Sequence, residues 1–312
     1  MFARKLRGFI RLSRPFFLSG GVLLYLLGVC TARYEGNLFN PINFLVGQIM
    51  VTATQMMVQY ANEYYDREVD GEAGGDRTWL TGGSGILASG IFPASLAQRA
   101  AWVCGVIALV CLAAVARLSL AAGLLGIVVI AVSWAYSAPP VRLMDRGLGE
   151  ISASLIVAFC TPLFGWLLQS RTGSLPLLLL AISIPLVLIH TSMLIAFDFP
   201  DLRTDAAHAK NTLVVRLGTR ASAFLHDGLI AAAFLIYGLW SWLAFAVPMT
   251  GIAFMAVGGW PVFLALPIAG WQIGRIHWQL SHPQASYQLF VTGAMALFAF
   301  MAMMWLVGLF LG

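Results

Sequence analysis

The chain has 312 residues, of which 60% are hydrophobic and only 10% are charged. A water-soluble domain carries about a quarter charged residues, so this composition excludes an ordinary soluble globular protein. The formal net charge of +5 comes from Lys and Arg that follow the ends of apolar runs, and we do not attribute it to nucleic-acid binding. The four cysteines lie within or beside apolar runs without metal-ligand spacing, so we interpret them as small buried apolar side chains rather than disulfides or ligands.

Apolar runs recur along the whole chain, each close to the roughly 20 residues that a helix needs to cross a hydrocarbon layer about 30 Å thick. The first run opens with Pro15 and has no small-residue cleavage site, so we interpret it as a spanning helix and not as a signal peptide. The sequence therefore predicts an all-α integral membrane protein with about nine transmembrane helices in one domain, 1–312. The predicted helices are 15–33, 42–64, 94–116, 118–137, 151–169, 174–198, 221–246, 250–274 and 285–311.

The Lys and Arg residues predict the orientation of these helices. When the loops are assigned alternately to the two sides of the membrane, fifteen of the 18 cationic residues fall on one side. Only Arg33, Arg117 and Arg171 fall on the other side. Because cytoplasmic loops are enriched in Lys and Arg, we predict a multi-pass protein of the cell (inner) membrane, with the N-terminus and the acidic loops in the cytoplasm.

Nine of the 13 acidic residues fall in two of the predicted cytoplasmic loops. They are Glu63, Asp66, Glu68, Asp70, Glu72 and Asp76 after the second helix, and Asp198, Asp201 and Asp205 after the sixth. Asn62, Asp66 and Asp70 recur at i, i+4 and i+8, so a continuing helix would place all three on one face. Asp201 and Asp205 repeat the i, i+4 spacing.

These two acidic clusters have two interpretations. Carboxylates at helix ends can simply be solvated. However, like charges one turn apart destabilise a helix unless a cation lies between them, and Mg²⁺ binds carboxylate oxygens together with substrate phosphates. Since two matched clusters follow two membrane helices, where ionisable groups are functional by default, we favour a site for Mg²⁺ and a diphosphate.

The clusters also suggest an internal duplication. Asp66 and Asp201 lie about 135 residues apart, and each follows the second helix of a four-helix block. The predicted repeats are 15–137 and 151–275, with the ninth helix appended. Repeats of this kind commonly form their binding site where they meet, so we expect a central cavity between them.

Five short segments carry recognisable motifs. Segment 62–70 has the pattern N-x-x-x-D-x-x-x-D, and segment 198–205 has D-x-x-D-x-x-x-D. Between them lie YSAPPVRL (136–143) and RGLGE (146–150), and KNTLVVRLG (210–218) follows the second. In this order, they resemble the two aspartate-rich motifs, the connector and the tail of the UbiA-type intramembrane prenyltransferases. The resemblance covers about residues 10–220, and nine helices is the count of this family.

The resemblance implies Mg²⁺-dependent transfer of a polyprenyl group from its diphosphate to an aromatic acceptor inside an apolar chamber. Two Mg²⁺ ions would neutralise the diphosphate as Lewis acids, so that it can leave. The implied catalytic residues are Asn62, Asp66, Asp70, Asp198, Asp201 and Asp205, of which all but Asp198 are implied metal ligands. The residues implied to bind the diphosphate are Arg67, Tyr136, Ser137, Arg142, Arg203 and Lys210.

Within the family, the loop TGGSGIL (81–87) and the pair Tyr64-Tyr65 resemble most the branch that prenylates 1,4-dihydroxy-2-naphthoate in menaquinone biosynthesis. The R-T-x-x-R-P pattern of the 4-hydroxybenzoate enzymes is missing. The alternative acceptors are 4-hydroxybenzoate, homogentisate and a glycerol phosphate lipid. The glycine-rich loop either provides only a turn of suitable backbone shape, or its N–H groups help to hold the diphosphate.

His190 lies inside the sixth predicted helix, about two turns before Asp198. It could contact the acceptor, but we favour a core histidine whose hydrogen bonds are satisfied.

Two other classes of protein remain as alternatives. A membrane transporter with cation-binding carboxylates would hold them near the middle of the bilayer, whereas these clusters lie at predicted cytoplasmic ends. A head-group transferase of the CDP-alcohol type would need a longer continuous motif than the faint echoes at Asp70-Gly71 and Asp76-Arg77.

Overall fold

The computed structural model describes residues 2–72, 78–170, 176–246 and 260–311. Within these ranges every regular element is helical, which confirms the predicted all-α membrane class. The α-helices, numbered α1 to α12, are Phe2–Leu12, Pro15–Tyr34, Pro41–Tyr65, Arg67–Glu72, Ala94–Leu118, Leu120–Ser137, Gly149–Leu155, Thr161–Gln169, Leu177–Ala207, Leu213–Ala246, Leu266–Ser281 and Gln288–Leu311. A π-helical turn, Ile156–Cys160, joins α7 to α8, and 3₁₀ turns cover Leu143–Arg146 and Trp260–Ala265.

Eight helical segments of the described chain are long and apolar enough to cross a membrane. They are α2, α3, α5, α6, the continuous α7–α8 unit, α9, α10 and α12. The eighth predicted span, 250–274, falls partly on residues 247–259, which lie outside the described ranges. Its remaining part leads into α11, which has 16 residues. The count of nine spans therefore stays a prediction.

The helix boundaries follow from local chemistry. Ser119 separates α5 from α6: its backbone is extended, with φ −152° and ψ 113°, and its Oγ accepts a hydrogen bond from the Ala122 N–H at 3.3 Å. Helix α9 continues past the predicted end at residue 198 as far as Ala207, with Pro200 inside it. The second acidic cluster thus lies on a helix and not in a loop. Gly218, with φ 77° and ψ 162°, interrupts α10 close to its start.

Burial divides the helices into protein-facing and lipid-facing surfaces. The largest core lies among α9, α10 and α12, where Leu186 and Trp305 are fully buried. By contrast, α5 leaves Trp102, Val106 and Val110 exposed by 57%, 58% and 67%. Exposed apolar side chains at this helical spacing are expected where a helix faces hydrocarbon instead of water.

Candidate active site at the ends of α3 and α9

The first acidic cluster continues the helical path of α3 beyond its end. Asp66 follows the last residue of α3, and its N–H donates to the Asn62 carbonyl at 2.9 Å. The Asp70 N–H donates in turn to the Asp66 carbonyl at 2.8 Å. Because each bond spans four residues, Asn62, Asp66 and Asp70 lie on successive turns of one face. All three line the same cavity.

The second acidic cluster occupies the last turns of α9. Asp198 and Asp201 line the cavity that the first cluster lines. Asp205 lies one turn beyond and is buried, with 2% of its surface exposed. The Lys210 N–H donates to the Asp205 carbonyl at 2.9 Å, which turns the chain back over the end of the helix.

Lys210 connects the two clusters. Its Nζ lies 3.2 Å from Asp66 Oδ2 and 3.5 Å from Asp205 Oδ1, although the two carboxylates are far apart in sequence. Burial by itself would lower the pKa of Lys210, but the neighbouring carboxylates of Asp66 and Asp205 reverse that effect and raise its pKa above the ordinary value. Lys210 is therefore a fixed positive charge between the acidic ends of α3 and α9. Arg142 adds a second cation 3.6 Å from Asp66 Oδ1.

Negative charge nevertheless exceeds what these cations balance. Burial, together with the nearby carboxylates of Asp66 and Glu63, raises the pKa of Asp70 to about 7. A cation bound beside Asp70 would remove this repulsion and favour the ionised carboxylate.

The glycine-rich loop closes over both clusters. The Gly82 N–H donates to Asp201 Oδ2 at 3.2 Å. A Cβ built on Gly83 would lie 2.2 Å from Asp70 Oδ2, and the φ of Gly83 is +69°. Ser84 bonds to Glu63, with its N–H at 2.6 Å and its Oγ at 2.7 Å from the carboxylate oxygens. The loop therefore has a defined backbone shape whose N–H groups donate to acidic residues. Binding of a diphosphate by these N–H groups stays a prediction.

The cavity beneath this loop has a volume of about 280 Å³. Its acidic end also carries Tyr136 and Lys210. Away from that end it is lined mainly by apolar side chains, which include Val51, Val129, Ile156, Val157, Met193, Leu194 and Phe197. One end therefore suits a charged group and the rest suits a hydrocarbon.

Comparison with known proteins identifies the family. The sequence pattern of the UbiA prenyltransferase family matches residues 22–290. The chain belongs to this family. It is therefore a prenyltransferase, and the transporter and head-group transferase alternatives are not supported.

Relatives and solved structures agree with this membership. The chain is similar to a 1,4-dihydroxy-2-naphthoate octaprenyltransferase of Escherichia coli K12, with 26% identity over 74% of this chain and 78% of the relative. It is 24% identical to an enzyme of the same name from Bacillus subtilis 168, over 74% of this chain and 71% of that one. A solved UbiA homologue from Archaeoglobus fulgidus, bound to GPP and Mg²⁺, has the same fold, with a TM-score of 0.60, 16% identity and coverage of 97% and 99% of the two chains.

The structure does not bring every predicted site residue of this UbiA enzyme to the cavity. Arg67 turns away: its Nη2 lies 2.8 Å from Glu68 and its guanidinium lies over the Tyr64 ring. Arg203 is exposed on α9. Neither lines the cavity. Their predicted role in diphosphate binding would need movement of these side chains.

Two other predicted residues, Ser137 and Arg142, do not line the cavity. The Ser137 Oγ donates to Asn62 Oδ1 at 3.0 Å, so it orients the amide instead of facing the cavity. Arg142 pairs with Asp145 as well as with Asp66. Sequence reasoning gave no role to Glu150, which is buried and accepts a hydrogen bond from the Leu213 N–H at 2.5 Å. Glu150 is the last residue of the RGLGE motif, and that motif is the sequence feature that could have indicated a role for it.

The donor set fits a divalent cation. Among the predicted metal ligands, Asp66 Oδ1 and Asp205 Oδ1 are buried and accept no hydrogen bond, although Arg142 and Lys210 lie 3.6 Å and 3.5 Å from them. Buried carboxylate oxygens are costly without a partner. Within the described ranges, however, no three acidic, histidine or cysteine side chains form a complete metal site. This arrangement suits Mg²⁺, which takes one or two carboxylates and completes its shell with phosphate oxygens and water.

Proposed function

We propose that this enzyme transfers a polyprenyl group from its diphosphate to 1,4-dihydroxy-2-naphthoate in a Mg²⁺-dependent reaction of menaquinone biosynthesis. The observation that carries the proposal is the cavity with two acidic clusters at one end and an apolar lining beyond them. A prenyl diphosphate has the matching division into a charged head and a hydrocarbon tail.

At the acidic end, two Mg²⁺ ions would act as Lewis acids and neutralise the charge of the diphosphate. The residues that would hold it are Asn62, Asp66, Asp70, Asp201 and Asp205. Ser137 keeps the Asn62 amide in place, and the Gly82 N–H orients the Asp201 carboxylate. Lys210 keeps the two clusters together before substrate binds and lies within reach of the leaving group.

The apolar part of the cavity would protect the reacting carbons. Met193, Leu194 and Phe197 of α9 line it, together with Val129 of α6. This lining excludes water, which would otherwise capture the allylic cation. The rings of Phe197 and Tyr136 can stabilise the positive charge that develops as the diphosphate leaves.

The identity of the acceptor has its own support. The two relatives are named for 1,4-dihydroxy-2-naphthoate, and the loop 81–87 resembles that branch. An electron-rich naphthalenediol attacks an allylic cation readily. The alternative acceptors, 4-hydroxybenzoate, homogentisate and a glycerol phosphate lipid, are tested beside it.

Expression of this chain in a menaquinone-deficient strain that lacks its naphthoate prenyltransferase should restore menaquinone. The reason is that the missing step is the transfer proposed here. Lipid extraction and mass spectrometry would measure the quinone, and purified protein with Mg²⁺ and a panel of acceptors would measure the transfer directly.

An Asp201→Ala variant expressed to the same level is the control for this complementation, because it should restore no menaquinone. If the unaltered chain also restores none, and transfers a prenyl group only to one of the alternative acceptors in vitro, the naphthoate assignment is wrong and prenyl transfer stands.

We also propose that the N-terminus and the acidic ends of α3 and α9 face the cytoplasm. A cysteine introduced as His208→Cys should react with a membrane-impermeant maleimide only after the inner face is opened, because His208 follows α9 on the predicted cytoplasmic side. Position 74 is predicted to behave in the same way and lies outside the described residues.

Leu38→Cys is the matched control for the labelling. Leu38 is 77% exposed between α2 and α3, on the predicted outer side, so it should react in intact cells. Labelling of position 208 in intact cells, with protection of position 38, would reverse the orientation.

A further inference from the structure

His190 lies in the apolar part of the cavity, away from the acidic clusters. It is on α9, eight residues before Asp198, which corresponds to about 12 Å along a helix axis. It lines the same cavity although only 5% of its surface is exposed. The Phe298 ring holds it edge-on, with centroids 4.7 Å apart. An imidazole thus faces the cavity on the side away from the acidic clusters.

The hydrogen bonds of Ser154 determine which nitrogen of His190 carries the proton. The Ser154 Oγ donates its single proton to the Glu150 carbonyl at 2.7 Å. The same Oγ lies 2.9 Å from His190 Nδ1. Since Ser154 has no second proton to give, Nδ1 must carry the hydrogen and donate it. In the neutral ring, Nε2 then has a free lone pair, and it forms no hydrogen bond to the described residues.

The other polar side chains that line the cavity outside the acidic clusters are mostly hydroxyls and amides, which include Thr54, Gln55, Gln59, Ser133, Ser152 and Thr161. The hydroxyls of Thr54 and Thr161 line the cavity but donate to the carbonyls of Met50 and Ile156 at 2.9 Å. A neutral hydroxyl or amide accepts hydrogen bonds but is a far weaker base than a neutral imidazole. Besides His190, the basic side chains among the described residues that line the cavity are Lys210 and Arg14, and neither cation has a lone pair that could accept a proton.

We propose that His190 Nε2 is the general base that accepts the hydroxyl proton of the aromatic acceptor. This inference rests on the proposed function, because it requires an acceptor with a ring hydroxyl. Ser154 is a positioning residue, since it holds the Nδ1–H tautomer and does not face the acceptor.

In the proposed reaction, the prenyl carbon exchanges its bond to oxygen for a bond to carbon. The bond between the prenyl carbon and the diphosphate oxygen breaks, and its electron pair leaves with the diphosphate. A ring carbon of the acceptor forms the new carbon–carbon bond while the hydroxyl proton moves to Nε2, which leaves a neutral ring ketone. The substituted carbon then loses its carboxylate as CO₂ or, where it carries hydrogen, loses a proton to the departed diphosphate. In both cases the bonding electron pair stays in the ring. The ring becomes aromatic again, and the oxygen regains a proton from Nε2.

The test compares His190→Gln with the wild type at saturating Mg²⁺ and prenyl diphosphate. We expect kcat with 1,4-dihydroxy-2-naphthoate to fall on the order of 10²-fold or more, while the acceptor KM and the binding of a non-reactive prenyl thiodiphosphate change little. Ser154→Ala should lower kcat less. His282→Gln, a histidine on the exposed surface after α11, should leave the rates unchanged.

Acceptors in which one hydroxyl is methylated test whether His190 acts as a base or only supports the structure of the site. When the hydroxyl that faces Nε2 is methylated, kcat of the wild type should fall to the value of His190→Gln. The kcat of His190→Gln itself should not change with this substrate. Equal losses in both proteins for each ether would overturn the inference, as would wild-type kcat in His190→Gln or loss of prenyl thiodiphosphate binding. A wild type that prenylates no hydroxylated aromatic ring overturns the proposed function and this inference with it.

Discussion

Replacement of Asp66 by Asn should abolish prenyl transfer by the purified enzyme, with a loss of about 10²–10³-fold or more. Asp66 is 1% exposed, lies at the centre of the first cluster, and has a buried Oδ1 without a hydrogen bond. Asn keeps the shape but replaces a charged oxygen ligand with a weaker, neutral one. Transfer of a radiolabelled prenyl group, followed over a Mg²⁺ titration, measures the effect. Asp201→Asn should behave in the same way.

Glu68→Gln is the matched control for the acidic clusters. Glu68 lies two residues from Asp66, but its side chain is 76% exposed and pairs at the surface with Arg67. Surface pairs of this kind contribute little to stability, so transfer and melting temperature should stay at the wild-type values. If Asp66→Asn turned over normally at saturating Mg²⁺, Asp66 would be removed from the metal site.

Gly83→Ala should lower transfer by about 10²-fold, the effect expected when a catalytic group is displaced by about 1 Å. The new Cβ would lie 2.2 Å from Asp70 Oδ2, so either the loop or the carboxylate has to move. The added methyl group also has to be accommodated at a φ of +69°. Steady-state transfer rates and the concentration of Mg²⁺ needed for half-maximal rate would measure the displacement.

Gly90→Ala separates the clash at Asp70 from the backbone strain. Gly90 has nearly the same φ, +68°, but a Cβ there would meet no atom within 4 Å. Both variants carry the cost of a left-handed residue, about 1–2 kcal/mol, and only Gly83→Ala pushes on Asp70. Equal transfer rates in the two variants would show that the loop does not position this carboxylate.

Part of the site was predictable because helical periodicity is a local property. The i, i+4, i+8 spacing of Asn62, Asp66 and Asp70 was sufficient to place them on one face, and the hydrogen bonds between their backbones show that path. The family motifs predicted that the two acidic clusters act together. The duplication of 15–137 and 151–275 stays a prediction.

Other features depended on side chains that meet across helices. Arg67 and Arg203 have the charge that a diphosphate requires, yet Arg67 pairs with Glu68 and Arg203 is exposed. His190 was interpreted as a core histidine, since no local pattern reveals that Ser154, from another helix, leaves its Nε2 without a proton. The choice of partner for a long side chain depends on which helices are neighbours, and spacing along one helix does not contain that information.

The sequence by itself determined the membrane class, most of the spanning helices, the two acidic faces and the family, because the bilayer demands long apolar helices and because helical spacing is set within a few residues. Only the tertiary structure decided that Lys210 joins Asp66 to Asp205, that Gly82 and Gly83 lie against Asp201 and Asp70, and that His190 faces the cavity. These contacts join residues on separate helices and loops, and they exist because the apolar helices pack in one arrangement that brings those surfaces together.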